Sequence, residues 1–296
     1  MSSPTTARAP DFASEPCPLC GGRGLERRFA KSGFFIVRCE RCGVELAWPL
    51  PGGAEVESIY ADPGYFSGAE YYLDYVAHEA NHRRLARRVL ARLGPSGRAP
   101  RLLDVGAAAG FFLDEARKVG WSAVGIEPSP SMSAFARDEL GLDVRNGRFD
   151  AVELGDERFD LVTFLDSFEH FPDPARVLER AASLLAPRGR VALLTPNAGS
   201  PLARVLGRRW PHYTPPEHVF FYAERSLFRL LELHGFEPVA VHRMGHDWSV
   251  EELVRKLAPR ALSRALPRNS RWLRRSLYLD VGDLFVIAKL VRSEEA

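Results

Sequence analysis

Cysteine is scarce and confined in this chain: four residues in 296, all between positions 17 and 42. Charge of one sign is lacking as well. Forty Lys and Arg stand against 38 Asp and Glu, a net charge of +2, so there is no global case for nucleic-acid binding. No apolar run is long enough to cross a bilayer. The first residues, MSSPTTARAPDFASEP, contain no apolar signal core and read as a flexible tail over 1–16, which makes a cytoplasmic protein the default expectation. There is no internal repeat. No Gly-Lys-Ser/Thr is present, which excludes a P-loop. What remains is a composition of 46% hydrophobic and 26% charged residues, ordinary for a globular protein of one large domain with room for a small module.

The stretch around which the rest is organised is RLLDVGAAAGFFLDEARKVGWSAVGIE, residues 101–127. An apolar run (Leu102, Leu103, Val105) leads to a small-residue turn from Gly106 to Gly110. A helical pattern follows from Phe111 to Val119, then a second apolar run from Ser122 to Ile126 that ends in Glu127. This is strand, tight loop, helix, strand, acid: half of a nucleotide-binding α/β unit. Gly106 and Gly110 let the backbone turn sharply and approach a ligand without a Cβ in the way. Amides at the start of the following helix favour an anionic group. A carboxylate at position 127, at the end of the next strand, is placed to accept ribose hydroxyls. The dinucleotide fingerprint requires Gly at its first, third and sixth positions; here the third is Ala108 and the sixth Phe111, so NAD fits poorly.

An acid two residues before the first glycine (Asp104), followed by Gly-x-x-x-Gly, resembles the first motif of class I S-adenosylmethionine-dependent methyltransferases. The run Asp-Ser-Phe-Glu-His-Phe-Pro-Asp-Pro at 166–174 closely resembles the motif after their fourth strand. The resemblance implies a doubly wound, mostly parallel seven-stranded α/β sheet of Rossmann-like methyltransferase type. It also implies S-adenosylmethionine as cofactor, held by Asp104, Gly106, Ala108, Gly110, Glu127 and Asp166. Many members carry an acid after the third strand for the adenine amino group; here Arg148-Phe149 stands there, with the acid displaced to Asp150. Phe149 is then the adenine contact, by stacking or through its backbone amide. His170 is placed at the carboxyl edge of the sheet, where it is either a general base or a structural tie between loop and helix.

The cysteines form two matched pairs, Cys17-Pro-Leu-Cys20 and Cys39-Glu-Arg-Cys42, each followed by glycine and separated by 18 residues. This spacing is that of a closed four-thiolate zinc ribbon over 17–48, structural rather than catalytic. Two disulfides or a redox pair are the alternatives, and four thiolates also suit iron. Residues 49–97 hold Tyr60, Tyr65, Phe66, Tyr71, Tyr72 and Tyr75, then a helical stretch with Arg83, Arg84, Arg87 and Arg88 on its solvated side. Two readings are open for these aromatics: a lid of phenols aimed at a substrate, or packing of the ribbon on the main domain. Knuckles, Pro-rich turn and aromatic segment in that order resemble the N-terminal region of bacterial methyltransferases tied to sugar and polysaccharide modification.

The methyltransferase domain is expected over 98–296, with an inserted loop at 196–225. Polar groups and aromatics in so long a connection point to a binding loop. Its Glu-His-Val-Phe-Phe-Tyr run resembles the Glu-His-aromatic stretch of sugar C-methyltransferases, which implies His218 as base and Glu217 as its orienting partner, beside His170 as the rival base. A strand over 236–241 and another over 284–291 would form an edge hairpin. Between them an insertion over 247–280 is basic: residues 251–275 carry eight Arg or Lys against two Glu. A lid for a phosphate-bearing or nucleotide-linked substrate, a weak membrane-surface contact through 251–277, and a solvated helical hairpin are the readings it leaves open. The function implied is methyl transfer to a small-molecule acceptor, a sugar, nucleotide-sugar or related natural-product precursor. An inactive methyltransferase-fold scaffold and an RNA methyltransferase are the alternatives; no Asn/Asp-Pro-Pro-Tyr motif supports the latter.

Overall fold

The computed structural model describes residues 12, 14–62, 65–66, 75–94, 100–250 and 275–291. Tyr71, Tyr72, most of the expected N-terminal tail, and residues 251–274 of the basic insertion lie outside them.

Two sheets organise the chain. The larger has seven strands. Its parallel part comprises β4 (Arg101–Val105), β5 (Ser122–Glu127), β6 (Asp143–Asn146), β7 (Phe159–Leu165) and β8 (Leu185–Thr195). An antiparallel edge is formed by β10 (Phe236–Ser249) and β11 (Ser276–Leu290), giving the order β10-β11-β8-β7-β4-β5-β6. The reversal of order between β4 and its two neighbours is the switch point at which open α/β sheets bind ligands.

Alternation along the strands builds a core on each face. Leu103, Val162, Leu193 and Val286 face α5 (Pro174–Leu184) and α7 (Glu224–Leu233). Leu102, Leu161, Leu194 and Phe285 face α2 (Glu79–Leu93), α3 (Phe111–Lys118) and α4 (Pro130–Asp138). Near-continuous apolar runs in β4 and β7 are what a strand buried on both faces requires. Asp173 caps α5 by accepting from Arg176 N, and Pro174 occupies the first helical position, where its missing N–H costs nothing.

The smaller sheet is antiparallel: β1 (Leu25–Lys31), β2 (Phe34–Cys39), β3 (Glu45–Trp48) and then β9 (Phe220–Phe221), which comes from the expected loop at 196–225. Register pairs Glu45 with Phe221 and Leu46 with Phe220, and Ala47 N donates to Val219 O at 2.9 Å. The cysteine-bearing module is therefore completed by a strand from the far end of the chain.

The edge hairpin departs from the sequence expectation. The edge hairpin is longer than expected on both strands, with Asp247 opposite Tyr278 and Ser249 opposite Ser276, so both ends of the expected insertion are strand. Its basic residues on 251–274 had obscured the alternation of the flanks. Short α1 (Gly53–Ala61) precedes the aromatic segment, and α6 (Pro201–Leu206) opens the long loop. Among the described residues no helix is long and apolar enough to cross a membrane.

Candidate functional site

The turn after β4 is built from backbone conformations that the sequence supplies. Gly106 and Gly110 have φ of +85° and +80°, and Ala108 adopts +45°. A Cβ on Gly106 would lie 2.7 Å from the Cβ of Ser167, whose Oγ donates to Val105 O at 2.6 Å. At the end of β5 the buried Glu127 accepts from Ala108 N at 2.8 Å and from Ser129 N at 2.7 Å, so one oxygen is fixed by the glycine turn and the other by the start of α4. Each carboxylate oxygen keeps a second lone pair for a ligand hydroxyl. Asp104, also buried, accepts from Thr163 Oγ1 at 2.6 Å. Burial pushes both acids up to about 7; the Thr163 hydroxyl and the two amides oppose that without cancelling it.

Tyr75 stacks on His82, with centroids 3.8 Å apart, and both rings lie roughly parallel to Phe111 at 5.9 and 6.1 Å. Its phenol is pushed well above its ordinary range by burial and then by Asp166, Asp104 and Glu127, which puts it over the same group of carboxylates. Phe149 is placed differently from a stacking platform. It is buried in the core, edge-on to Phe164 at 5.8 Å and beneath the Arg180 guanidinium at 5.1 Å. Both faces of its surroundings are protein, which leaves the backbone amide as its route to a ligand. Asp150 pairs with Arg148, whose Nε lies 2.8 Å away.

Asp166 ends β7 in a left-handed conformation, φ +51°, with its amide donating to Leu194 O at 2.8 Å. Non-glycine residues rarely adopt that region without a surrounding that enforces it. Burial pushes its carboxyl up to about 6, against the pull of His246. His246 Nε2 lies 2.9 Å from Asp283 Oδ2 and 3.9 Å from Asp166 Oδ2. Sequence reasoning missed both His246 and Asp283. A glycine precedes each, Gly245 and Gly282, but both fall outside the strands expected over 236–241 and 284–291.

The loop 196–225 brings its acid and histidine back to the rim of β7. His170 and His218 meet edge to face with ring centroids 4.7 Å apart. Glu169, His170 and His218 place their polar atoms within 4.8 Å of one another. Nδ1 of His170 lies 2.9 Å from Glu217 O; since a carbonyl only accepts, that nitrogen carries the proton. Burial holds the His170 imidazole below its ordinary range. Glu217 Oε1 accepts from Tyr65 OH at 2.5 Å, and Tyr60 abuts both Tyr65 and His170 at 5.1 and 5.7 Å. Two of the expected aromatics thus converge on the Glu217–His218 loop, and a third, Tyr75, covers the turn after β4. Glu169 is fully buried, accepting from Thr195 Oγ1 at 2.9 Å, and burial raises it well above the ordinary carboxylate range.

A methyltransferase-domain family model matches residues 76–241, more than half of the 296-residue chain. The chain belongs to the methyltransferase-domain family. A ubiquinone biosynthesis O-methyltransferase of Nitrobacter winogradskyi is 28% identical over 169 residues, covering 51% of this chain and 63% of that protein. Proteins of the same name from Xanthomonas axonopodis pv. citri and Azorhizobium caulinodans are 37% and 34% identical over 116 and 160 residues. They cover 37% and 47% of this chain, and 47% and 63% of their own lengths. The chain thus spans less than two thirds of these curated relatives. In fold it is similar to magnesium protoporphyrin IX methyltransferase from Synechocystis, solved with bound S-adenosylhomocysteine, at a TM-score of 0.54 and 14% identity. That match covers 81% of this chain and all of that one. The YcgJ protein of Bacillus subtilis superposes at 0.51, with 16% identity, 71% of this chain and 99% of its own.

Outside the matched segment of this methyltransferase domain lie the cysteines. Cys17 and Cys42 approach to 3.8 Å between sulfurs, Cys20 and Cys39 to 3.7 Å, and all four sulfurs lie within 4.8 Å of one another. Gly21 and Gly43, both at positive φ, turn each knuckle so that their amides donate to Cys17 O and Cys39 O. Four thiols so close in a reduced state match the donor set of a tetrahedral metal. The module grips the loop 196–225: besides β9, Tyr213 OH donates to the buried Glu45 of β3, and Phe29 of β1 meets Tyr213 edge-on at 4.9 Å.

Proposed function

We propose that this chain transfers the methyl group of S-adenosylmethionine to a small-molecule acceptor. The observation that carries the reading is Glu127. Its carboxylate is locked between the amides of Ala108 and Ser129, opposite a glycine turn in which a Cβ would fill the available space. When bound, the cofactor supplies an electrophilic methyl on a sulfonium, so no metal or covalent enzyme intermediate is needed. Glu127 would accept the ribose hydroxyls. Asp104, the Gly106–Gly110 turn with Ala108, and Asp166 would hold the methionine end, and the Phe149 amide would meet the base. The cleft excludes water with the Tyr75–His82–Phe111 stack.

On the acceptor side the chain must align a nucleophile and take its proton. His218 serves as base, with His170 held in a fixed tautomer beside it, and Glu217 anchored by Tyr65 sets the loop that carries His218. The names of the three relatives favour an oxygen acceptor, and the Glu-His-aromatic run favours a sugar or nucleotide-sugar. A groove of about 270 Å³ between β1 and the loop is lined by Arg27, Arg28, Arg204 and Arg208 together with Glu26 and Glu45, an excess of basic groups that would favour an anionic part of such a molecule. The four cysteines hold a structural zinc ion that braces the acceptor loop through β3 and β9. The modules follow as ribbon 17–48, aromatic linker and capping helix 49–97, and transfer domain from 98.

The test is calorimetry with S-adenosylmethionine, followed by a mass-spectrometric screen of sugar, nucleotide-sugar and phenolic acceptors for the gain of one methyl. Binding in the micromolar range with methylation of one class is expected. Failure of the folded protein to bind the cofactor would sink the reading.

A further inference from the structure

The edge hairpin is deformed at one level on both strands. On β10 the register shifts between Met244 and His246, and a Cβ on the intervening Gly245 would fall 1.9 Å from Leu279 O, so only glycine fits this bulge. On β11, Gly282 takes φ +78° immediately before Asp283. Bulges re-aim side chains and recur beside active sites. Here the bulge carries His246 over the carboxyl rim of the sheet, against Asp283 at 2.9 Å and toward Asp166 at 3.9 Å. Asp283 is 1% exposed. His246 is the basic side chain within ion-pair distance of this buried acid.

We propose that His246 is a positioning residue of the transfer site: anchored by Asp283, it keeps the Asp166 carboxylate ionised and oriented toward the cofactor. The inference rests on the reading of the cofactor cleft given above. The groups that face Asp166 are His246 and Asp283 from the hairpin, Glu169 and His170 from the turn that follows it, and Tyr75 from the covering segment, while His82 faces His246. Burial takes His82 down to about 3 and raises Glu169 well above the ordinary carboxylate range. A protonated His246 is the group among these that favours the ionised form of Asp166 against its desolvation.

The experiment measures S-adenosylmethionine affinity by calorimetry between pH 5 and 8 for the unmodified chain, His246→Gln and Asp283→Asn, with circular dichroism to verify folding. A raised carboxyl loses its charge as pH falls, so the cationic ligand binds more weakly on the acid side. Glu127 and Asp104 contribute to that acid limb equally in all three proteins. In His246→Gln the midpoint of the limb is expected to rise by about one pH unit, with several-fold weaker binding at pH 7. In Asp283→Asn, which removes a like charge from Asp166 as well as the anchor of His246, the midpoint rises less than in His246→Gln. An unmoved midpoint in folded His246→Gln, or equal weakening at every pH in both variants, overturns the role of His246 alone. No binding by the unmodified chain at pH 8 overturns the cofactor reading and this inference with it.

Discussion

The proposed cofactor half and the proposed acceptor half of this molecule are built in opposite ways. From Asp104 to Glu127 the cofactor half is one strand, turn, helix and strand in unbroken succession. Its decisive contact, Ala108 N to Glu127, joins residues 19 apart. The acceptor half is gathered from distant parts: Tyr65 meets Glu217 across 152 residues, and Tyr213 meets Glu45 across 168. A site made of one supersecondary unit survives changes elsewhere, whereas a gathered site depends on every segment that delivers a piece of it. The two halves should accordingly fail separately.

The sharpest break comes from the cysteines. Cys39→Ser combined with Cys42→Ser should remove all bound zinc, read by elemental analysis, and cut transfer by more than about a hundredfold, since a structural metal contributes folding energy outright. Cofactor affinity should stay within a few-fold. Equal loss of cofactor affinity would show that the halves are not separable. His218→Ala is next: turnover should fall by about 10²–10⁴, the range for a lost general base, with cofactor affinity nearly unchanged. Unchanged turnover would remove His218 from the base role and leave His170.

Glu127→Ala tests the other half. It deletes charge-assisted hydrogen bonds of about 1.5–3 kcal/mol each, so affinity for S-adenosylmethionine should fall by at least tenfold. The ribbon would keep its metal, and metal loss here would contradict the comparison. A smaller effect follows from pH. Asp104 and Glu127 are raised by burial to about 7, so the folded ligand-free protein favours their protonated forms. That contribution is complete below about pH 4 and is lost as pH rises through about 7. The thermal midpoint of the ligand-free chain should fall by several degrees between pH 5 and 8, while the stabilisation given by S-adenosylmethionine grows over that interval. A flat midpoint would mean the two acids are solvated. Smallest is Tyr213→Phe, which removes the hydroxyl that Glu45 accepts: about 1 kcal/mol, or roughly 2–4 °C, with cofactor affinity untouched.

The same contrast explains what could be read from the sequence. The β4 turn, β5 and its terminal Glu127, β7 and the two cysteine knuckles are local patterns, and each stands where its residues implied. Glu217 and His218 were legible only by resemblance, because nothing near them in sequence shows that Tyr65 and His170 converge there. Phe149 looked like a ligand contact because it replaces an expected acid, yet its neighbours Phe164 and Arg180, 15 and 31 positions away, take the ring into the core. His246 was hidden by a bulge that breaks the period-2 alternation at the point where the strand turns functional.

The pairing of β3 with β9 also constrains how the protein comes into being. A ribosome delivers Glu45–Trp48 some 170 residues before Phe220 and Phe221. Until those two residues emerge, the cysteine module has three strands, an open row of amides and carbonyls along β3, and Leu46 beside it waiting to be covered. Such an edge is a template for the wrong partner, including the same strand of a neighbouring nascent chain. A metal on the four cysteines would hold that edge in shape while it waits, and the loop that closes it is the one that carries His218.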